Sequence, residues 1–125
     1  MTLLLVGVGG FFGAITRYTV DLLVSNAVGT RFPLGILIVN VSGAFVLGLL
    51  FAATERGAIP EAVRLPGFVG FIGAYTTFST LMLDSWRLGE DGAMIAALAN
   101  VAGSVILGMV AVGAGLMVGR IAGSN

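Results

Sequence analysis

Four long apolar stretches, separated by short polar connectors, make up nearly the whole chain. The first runs from about Thr2 to Val24, the second from about Leu34 to Ala53. The third covers about Pro66 to Asp84, the fourth about Ala93 to Gly119. Each is near the roughly 20 residues that a helix needs to cross a bilayer. The connectors hold the punctuation: Ser25 to Phe32, Thr54 to Leu65 with Pro60, and Leu88 to Gly92. Pro33 stands just before the second stretch, a favourable place for proline at a helix start. Trp86 and Arg87 close the third stretch, as interfacial anchors do. The pattern predicts an all-α integral membrane protein: one domain over residues 1–125, built as a four-transmembrane-helix bundle with short loops.

Composition sharpens this reading. Of 125 residues, 58% are hydrophobic and 10% charged, against about 25% charged in soluble domains. The chain has no cysteine and no histidine. Thiol chemistry, imidazole bases and the commonest transition-metal ligands are therefore absent. A net charge of zero suggests neither nucleic acid nor a polybasic lipid contact. The first stretch lacks a basic leader and a clear cleavage site, and reads as a retained helix.

The third stretch is interrupted by Gly73-Ala74-Tyr75-Thr76-Thr77-Phe78-Ser79-Thr80. Four serine and threonine hydroxyls and a glycine sit where hydrocarbon offers no hydrogen-bond partner. Local unwinding would free carbonyl oxygens able to hold a small cation. The hydroxyls of Ser79 and Thr80 could instead donate to an anion. The electropositive ring edge of Phe78 suits the same ligand. Hydroxyls bonding back to their own helix are the plainer alternative.

Other polar residues are fewer. Asn40 falls mid-stretch, as glue between helices or as a donor to an anion. Arg17 and Asp21 are one turn apart and should pair, with Arg17 a wall of an entry vestibule or a snorkelling side chain. Asn100 and Ser104 share a face of the fourth helix and could line a pore or staple helices. Small residues recur at Gly9 and Gly13, Ser104 and Gly108, and Gly115 and Gly119, a spacing that lets helices approach closely. Arg56, Arg64 and Arg120 fall on one side of the membrane. Arg31 and Arg87 fall on the other, with Arg17 leaning toward it. So even a count sets no orientation. It predicts dual topology and an antiparallel dimer, unless another device fixes one orientation.

Together these motifs resemble the CrcB, or Fluc, family of fluoride channels. Gly9-Gly10-Phe11-Phe12-Gly13-Ala14-Ile15-Thr16-Arg17-Tyr18 is similar to the family's GGxxGAxxRY. The segment from Pro33 to Gly43 resembles PxGTLxVNxxG, that from Gly67 to Thr80 resembles GFxGGxTTFST, and Asn100 to Gly108 resembles its looser fourth helix. The resemblance implies a break in the third helix and an antiparallel dimer with two pores. It implies a structural sodium ion at the dimer centre, held by the backbone carbonyls of Gly73 and Thr76. Fluoride would pass Asn40, Phe78, Ser79, Thr80 and Ser104, with Arg17 supporting the vestibule. The protein would be a multi-pass channel of the cell's inner (plasma) membrane, letting cytoplasmic fluoride leave passively, without enzymatic turnover. Three positions depart from the family pattern. Leu81 replaces a second phenylalanine, Asp84 a glutamate, and Asn100 a common tyrosine. Some members are paired, non-identical subunits with one degraded pore, so the dimer is a homodimer or a heterodimer with a related subunit. A small dual-topology multidrug transporter is the competing class. It needs a carboxylate deep in the membrane, whereas Asp21 and Asp84 both fall near stretch ends.

Overall fold

The computed structural model describes residues 1–123 and is helical throughout, with no strand among them. Helix α1 spans Thr2–Val28 and α2 spans Leu34–Glu55. A composite segment follows: α3 (Glu61–Leu65), a π-helical stretch (Pro66–Ile72), the single turn α4 (Gly73–Tyr75), and α5 (Phe78–Glu90). Helix α6 spans Met94–Ile121. Helices α1, α2 and α6 are each long and apolar enough to cross a membrane.

The elements overrun the apolar stretches at their ends. Helix α1 continues four residues past Val24, to Val28, and stops where Gly29 turns left-handed with φ 62° and its N–H caps the Ser25 carbonyl. A glycine adopts that conformation without steric strain. Helix α2 takes in Thr54, whose hydroxyl bonds back to the Leu50 carbonyl at 3.0 Å, and Glu55.

Two parallel pairs build the bundle, and in each, glycine lets one backbone rest on another. In the first pair, α2 lies along α6. A Cβ on Gly48 would run into the Val112 carbonyl oxygen, and one on Gly115 into that of Phe45. A Cβ on Gly119 would lie 2.6 Å from that of Ala52. The second pair sets α1 against the π-helical stretch. Gly9 meets the Pro66 carbonyl, Gly13 that of Phe71, and Gly70 that of Val6. Of the three expected small-residue pairs, Gly9/Gly13 and Gly115/Gly119 make such contacts, whereas Gly108 has nothing within 4 Å. The two pairs run in opposite directions. They join where α1 crosses α2, at Asp21 against Gly35, and where α5 runs antiparallel to α6.

Charges collect at the two ends. At one end Arg120 grips Glu55 in a two-pronged ion pair, 2.9 and 3.0 Å, and Arg56 donates to the Gly119 carbonyl. At the other, Asp21, Arg31, Asp84, Arg87 and Asp91 line an open recess of about 590 Å³. Between them the outer surface is apolar, with Phe11, Leu23, Ile95, Ile106 and Met109 among the many exposed side chains. One expectation fails here. The only ion pair among the described residues is that of Glu55 with Arg120, so Arg17 and Asp21 do not pair. Asp21 instead accepts a long hydrogen bond from the Ser25 hydroxyl and packs on Gly35.

Gly115→Ala should lower the stability of the purified protein by about 1–3 kcal/mol, because backbone cannot yield to the added methyl. Gly7→Ala, on an open face, should be neutral or slightly stabilising. Thermal unfolding in detergent measures both.

Candidate functional site

Helical hydrogen bonding stops at two residues in the middle of the composite segment. Thr76 has φ −77° and ψ 153°, and Thr77 φ −148° and ψ 122°. Extended backbone inside a membrane protein needs partners from side chains, because water is absent. Asn40 on α2 supplies them. The Thr77 N–H donates to Asn40 Oδ1 at 2.8 Å, and Asn40 Nδ2 donates to the Thr77 carbonyl at 3.0 Å. The carboxamide thus acts as a short strand laid against Thr77. One N–H of its amide group remains.

The hydroxyls divide their work. Thr76 Oγ1 donates to the Ile72 carbonyl at 3.0 Å, the same oxygen that accepts the Thr76 N–H. Thr77 caps α5, its Oγ1 accepting from the Thr80 N–H at 3.3 Å. Its hydroxyl also meets those of Thr80 at 3.1 Å and Ser79 at 3.4 Å. No hydrogen bond reaches the carbonyl oxygen of Thr76 among the described residues, which leaves it available to an electropositive ligand.

Beside the interruption, Asn40, Thr76, Thr77, Phe78, Leu81 and Ser104 share a recess of about 270 Å³ with neighbouring apolar residues of α5 and α6. Asn40, Phe78 and Ser104, far apart in sequence, are therefore brought together. Ser79 and Thr80 do not line it, and Arg17 lines neither this recess nor the charged one. Ser104 is 7% exposed and its hydroxyl has no partner among the described residues. Phe78, by contrast, is 74% exposed, and Gly73 and Ser79 beside it are exposed too.

A second polar cluster lies one turn further along the α5–α6 seam. Ser85 Oγ donates its one proton to the Leu81 carbonyl at 2.7 Å. It can therefore only accept from Asn100, whose Nδ2 lies 2.9 Å away. This fixes the amide orientation and leaves Asn100 Oδ1 buried without a donor. Ser85 went unnoticed in the sequence. Its signal was the four-residue step from Leu81, which puts both on the face that meets α6.

Residues 4–116 match the family model described as CrcB-like protein, Camphor Resistance (CrcB). The chain belongs to the CrcB family. Among curated CrcB-family relatives, Fluoride-specific ion channel FluC 2 of Mycobacterium tuberculosis is 44% identical over 112 residues, covering 90% of this chain and 86% of its own. Fluoride-specific ion channel FluC of Magnetococcus marinus is 43% identical over 117 residues, covering 93% and 95%. That of Solibacter usitatus is 41% identical over 121 residues, covering 96% and 99%. CrcB membership and the three long apolar helices make the chain a multi-pass membrane protein.

Asn40→Ala should strip two buried backbone groups of their partners, at about 1–3 kcal/mol each. Hydrogen exchange followed by mass spectrometry should show the Thr77 amide losing protection while α6 keeps it. Ser85→Ala should destabilise by a similar amount, leaving the Asn100 amide unpaired. The double variant Ser85→Ala/Asn100→Leu should be more stable than Ser85→Ala alone, which a double-mutant cycle of melting temperatures tests.

Proposed function

We propose that this chain is a subunit of a fluoride-selective channel that lets fluoride leave the cell passively across its inner (plasma) membrane. The observation that carries this reading is the recess shared by Asn40, Phe78 and Ser104. A small anion stripped of water needs hydrogen-bond donors and positive ring edges at close range. The free hydroxyl of Ser104 and the spare N–H of Asn40 are such donors. Phe78 supplies the ring edge. Ser79 and Thr80, at the start of α5, serve the anion beyond the recess, and Arg17 raises its concentration at the mouth. The names of the curated relatives agree with this ion.

The segment from Glu61 to Glu90 forms the third of four crossings, with Thr76 and Thr77 as its break. Exposed Gly73, Phe78 and Ser79 at mid-membrane then need a protein cover, because lipid does not tolerate irregular polar backbone. A second copy in the opposite orientation meets that need, as the balanced arginines allow. The carbonyls of Gly73 and Thr76 from both copies would hold a sodium ion at the centre. The lack of a hydrogen bond to the Thr76 carbonyl among the described residues fits such a role. The ion would supply positive charge that locks the two copies together.

Multidrug exchange is disfavoured. The central recess has no carboxylate, and both Asp21 and Asp84 line the recess at the bundle end. A heterodimer with a related subunit has one observation in its favour: Leu81, without a ring edge, lines the central recess.

Reconstituted alone into liposomes, the protein should release fluoride to a fluoride electrode, and Phe78→Ile should slow release by at least about tenfold, the scale of one lost charge–ring contact in a dry site. Unchanged release from Phe78→Ile removes the pore assignment. Release only when a related subunit is added selects the heterodimer.

A further inference from the structure

The interruption at Thr76 and Thr77 is held on both flanks by one turn of α2. On the far flank Asn40 clamps Thr77. On the near flank Tyr75, 9% exposed, is fixed on three sides. Its ring stacks on Phe71, centroids 6.0 Å apart and planes 13° apart. Its edge rests on Gly43, where an added Cβ would lie 3.2 Å from Cδ1 and 3.4 Å from Cε1. The same Cβ would collide with Thr76 Cγ2, so glycine here lets α2 touch both residues.

The phenol completes the arrangement. Tyr75 Oη lies 2.8 Å from Ser42 Oγ. Ser42 Oγ also lies 3.2 Å from the Val39 carbonyl, which can only accept, so the one serine proton goes there. Tyr75 therefore donates and Ser42 accepts. Thr76 sits between two residues that α2 fixes independently, and its own N–H and hydroxyl are tied to Ile72. Its carbonyl is the one polar group of that residue left without a partner, and the flanking bonds set where it points.

We propose that Tyr75, through its hydrogen bond to Ser42, is a positioning residue for a monovalent cation bound by the Thr76 carbonyl. This rests on the sodium reading above. Carbonyl ligands bind a cation well when the surrounding shell already holds them in direction, so that binding does not have to order them. Loss of the phenol hydroxyl keeps the ring, the stack and the Gly43 contact. It frees the turn Gly73–Tyr75 to swing, and with it the Thr76 carbonyl. The role of the Ser42 side chain is to hold the phenol.

The test reads the cation directly, without transport. The melting temperature of the full-length protein in detergent is followed against sodium chloride, with N-methylglucamine chloride holding ionic strength constant. Wild type should gain stability once sodium passes its dissociation constant, and from there with the logarithm of the concentration. Tyr75→Phe and Ser42→Ala should each move that onset to about tenfold higher sodium, the scale set by one hydrogen bond. Their gap to wild type should therefore widen as sodium rises and become constant at high sodium. Ser42→Thr, which keeps a hydroxyl, should keep the wild-type onset. A purely structural role would lower the melting temperature equally at every sodium concentration, and that result overturns the proposal. So does an unmoved onset in Ser42→Ala, which also serves if Tyr75→Phe fails to fold. A wild-type protein indifferent to sodium overturns the cation reading itself.

Discussion

Backbone polar groups away from water must find partners, and the interrupted helix turns that constraint into architecture. Two extended residues in the centre of an apolar bundle expose amide and carbonyl groups that no helix satisfies. One carboxamide meets the demand of Thr77 in both directions. Once Asn40 is committed to that clamp, much else follows. Helix α2 must pass close to the break, so Gly43 has to lack a side chain. Ser42, two residues after Asn40, falls beside the phenol of Tyr75. The break is held from both sides: the Thr76 N–H and hydroxyl bond to Ile72, both backbone groups of Thr77 bond to Asn40, and the Thr76 carbonyl has no partner among the described residues.

Close backbone contact does the rest of the holding. Lipid tails are as apolar as the bundle interior, so burial of hydrocarbon gives little drive for helices to associate in a membrane. The glycines of α1, α2 and α6 answer this by bringing carbonyl oxygens onto neighbouring helices. Gly48 and Gly115 do so reciprocally, each seated on the other helix's backbone. Gly9, Gly13 and Gly70 bind α1 to the π-helical stretch just before the break. Dispersion and packing in such seams accumulate over many small contacts, and a methyl added to one seam is felt along its length.

Much of this is legible in the amino-acid chain, and what is missing has a physical cause. Four apolar stretches, the run from Gly73 to Thr80 and the isolated Asn40 announce helices and an unusual middle. Helix ends read less well. Thr54 and Glu55 look like connector by polarity, yet a threonine can bond back to its own helix and a carboxylate can be neutralised by Arg120 65 residues away. The four serine and threonine hydroxyls look alike in sequence but divide their work, Thr76 bonding back to Ile72 and Thr77 capping α5, because backbone direction changes at Thr76. Arg17 and Asp21 have the right spacing for a pair. Asp21 is drawn away by Gly35 on a neighbouring helix, information that spacing on one helix cannot hold. Asn40, Phe78 and Ser104 could be nominated singly, but their meeting in one recess depends on the α2–α6 and α5–α6 seams.

The unequal burial at the break carries the last step of reasoning. Tyr75 and Thr77 are sealed within the chain, whereas Gly73, Phe78 and Ser79 face outward. Alternation of this kind over seven residues divides the interruption into an inner side, which is satisfied, and an outer side, which is not. The inner side depends on no other chain. Asn40, Ser42 and Gly43 preform the turn before any association. The outer side has the Thr76 carbonyl without a donor and the exposed ring of Phe78, and at the depth proposed for them neither water nor lipid supplies what they lack. A surface preformed on one side and unsatisfied on the other binds with little ordering cost. In the proposed assembly, joining of two copies and completion of the ion path would then be one event, set by the same few atoms around Thr76.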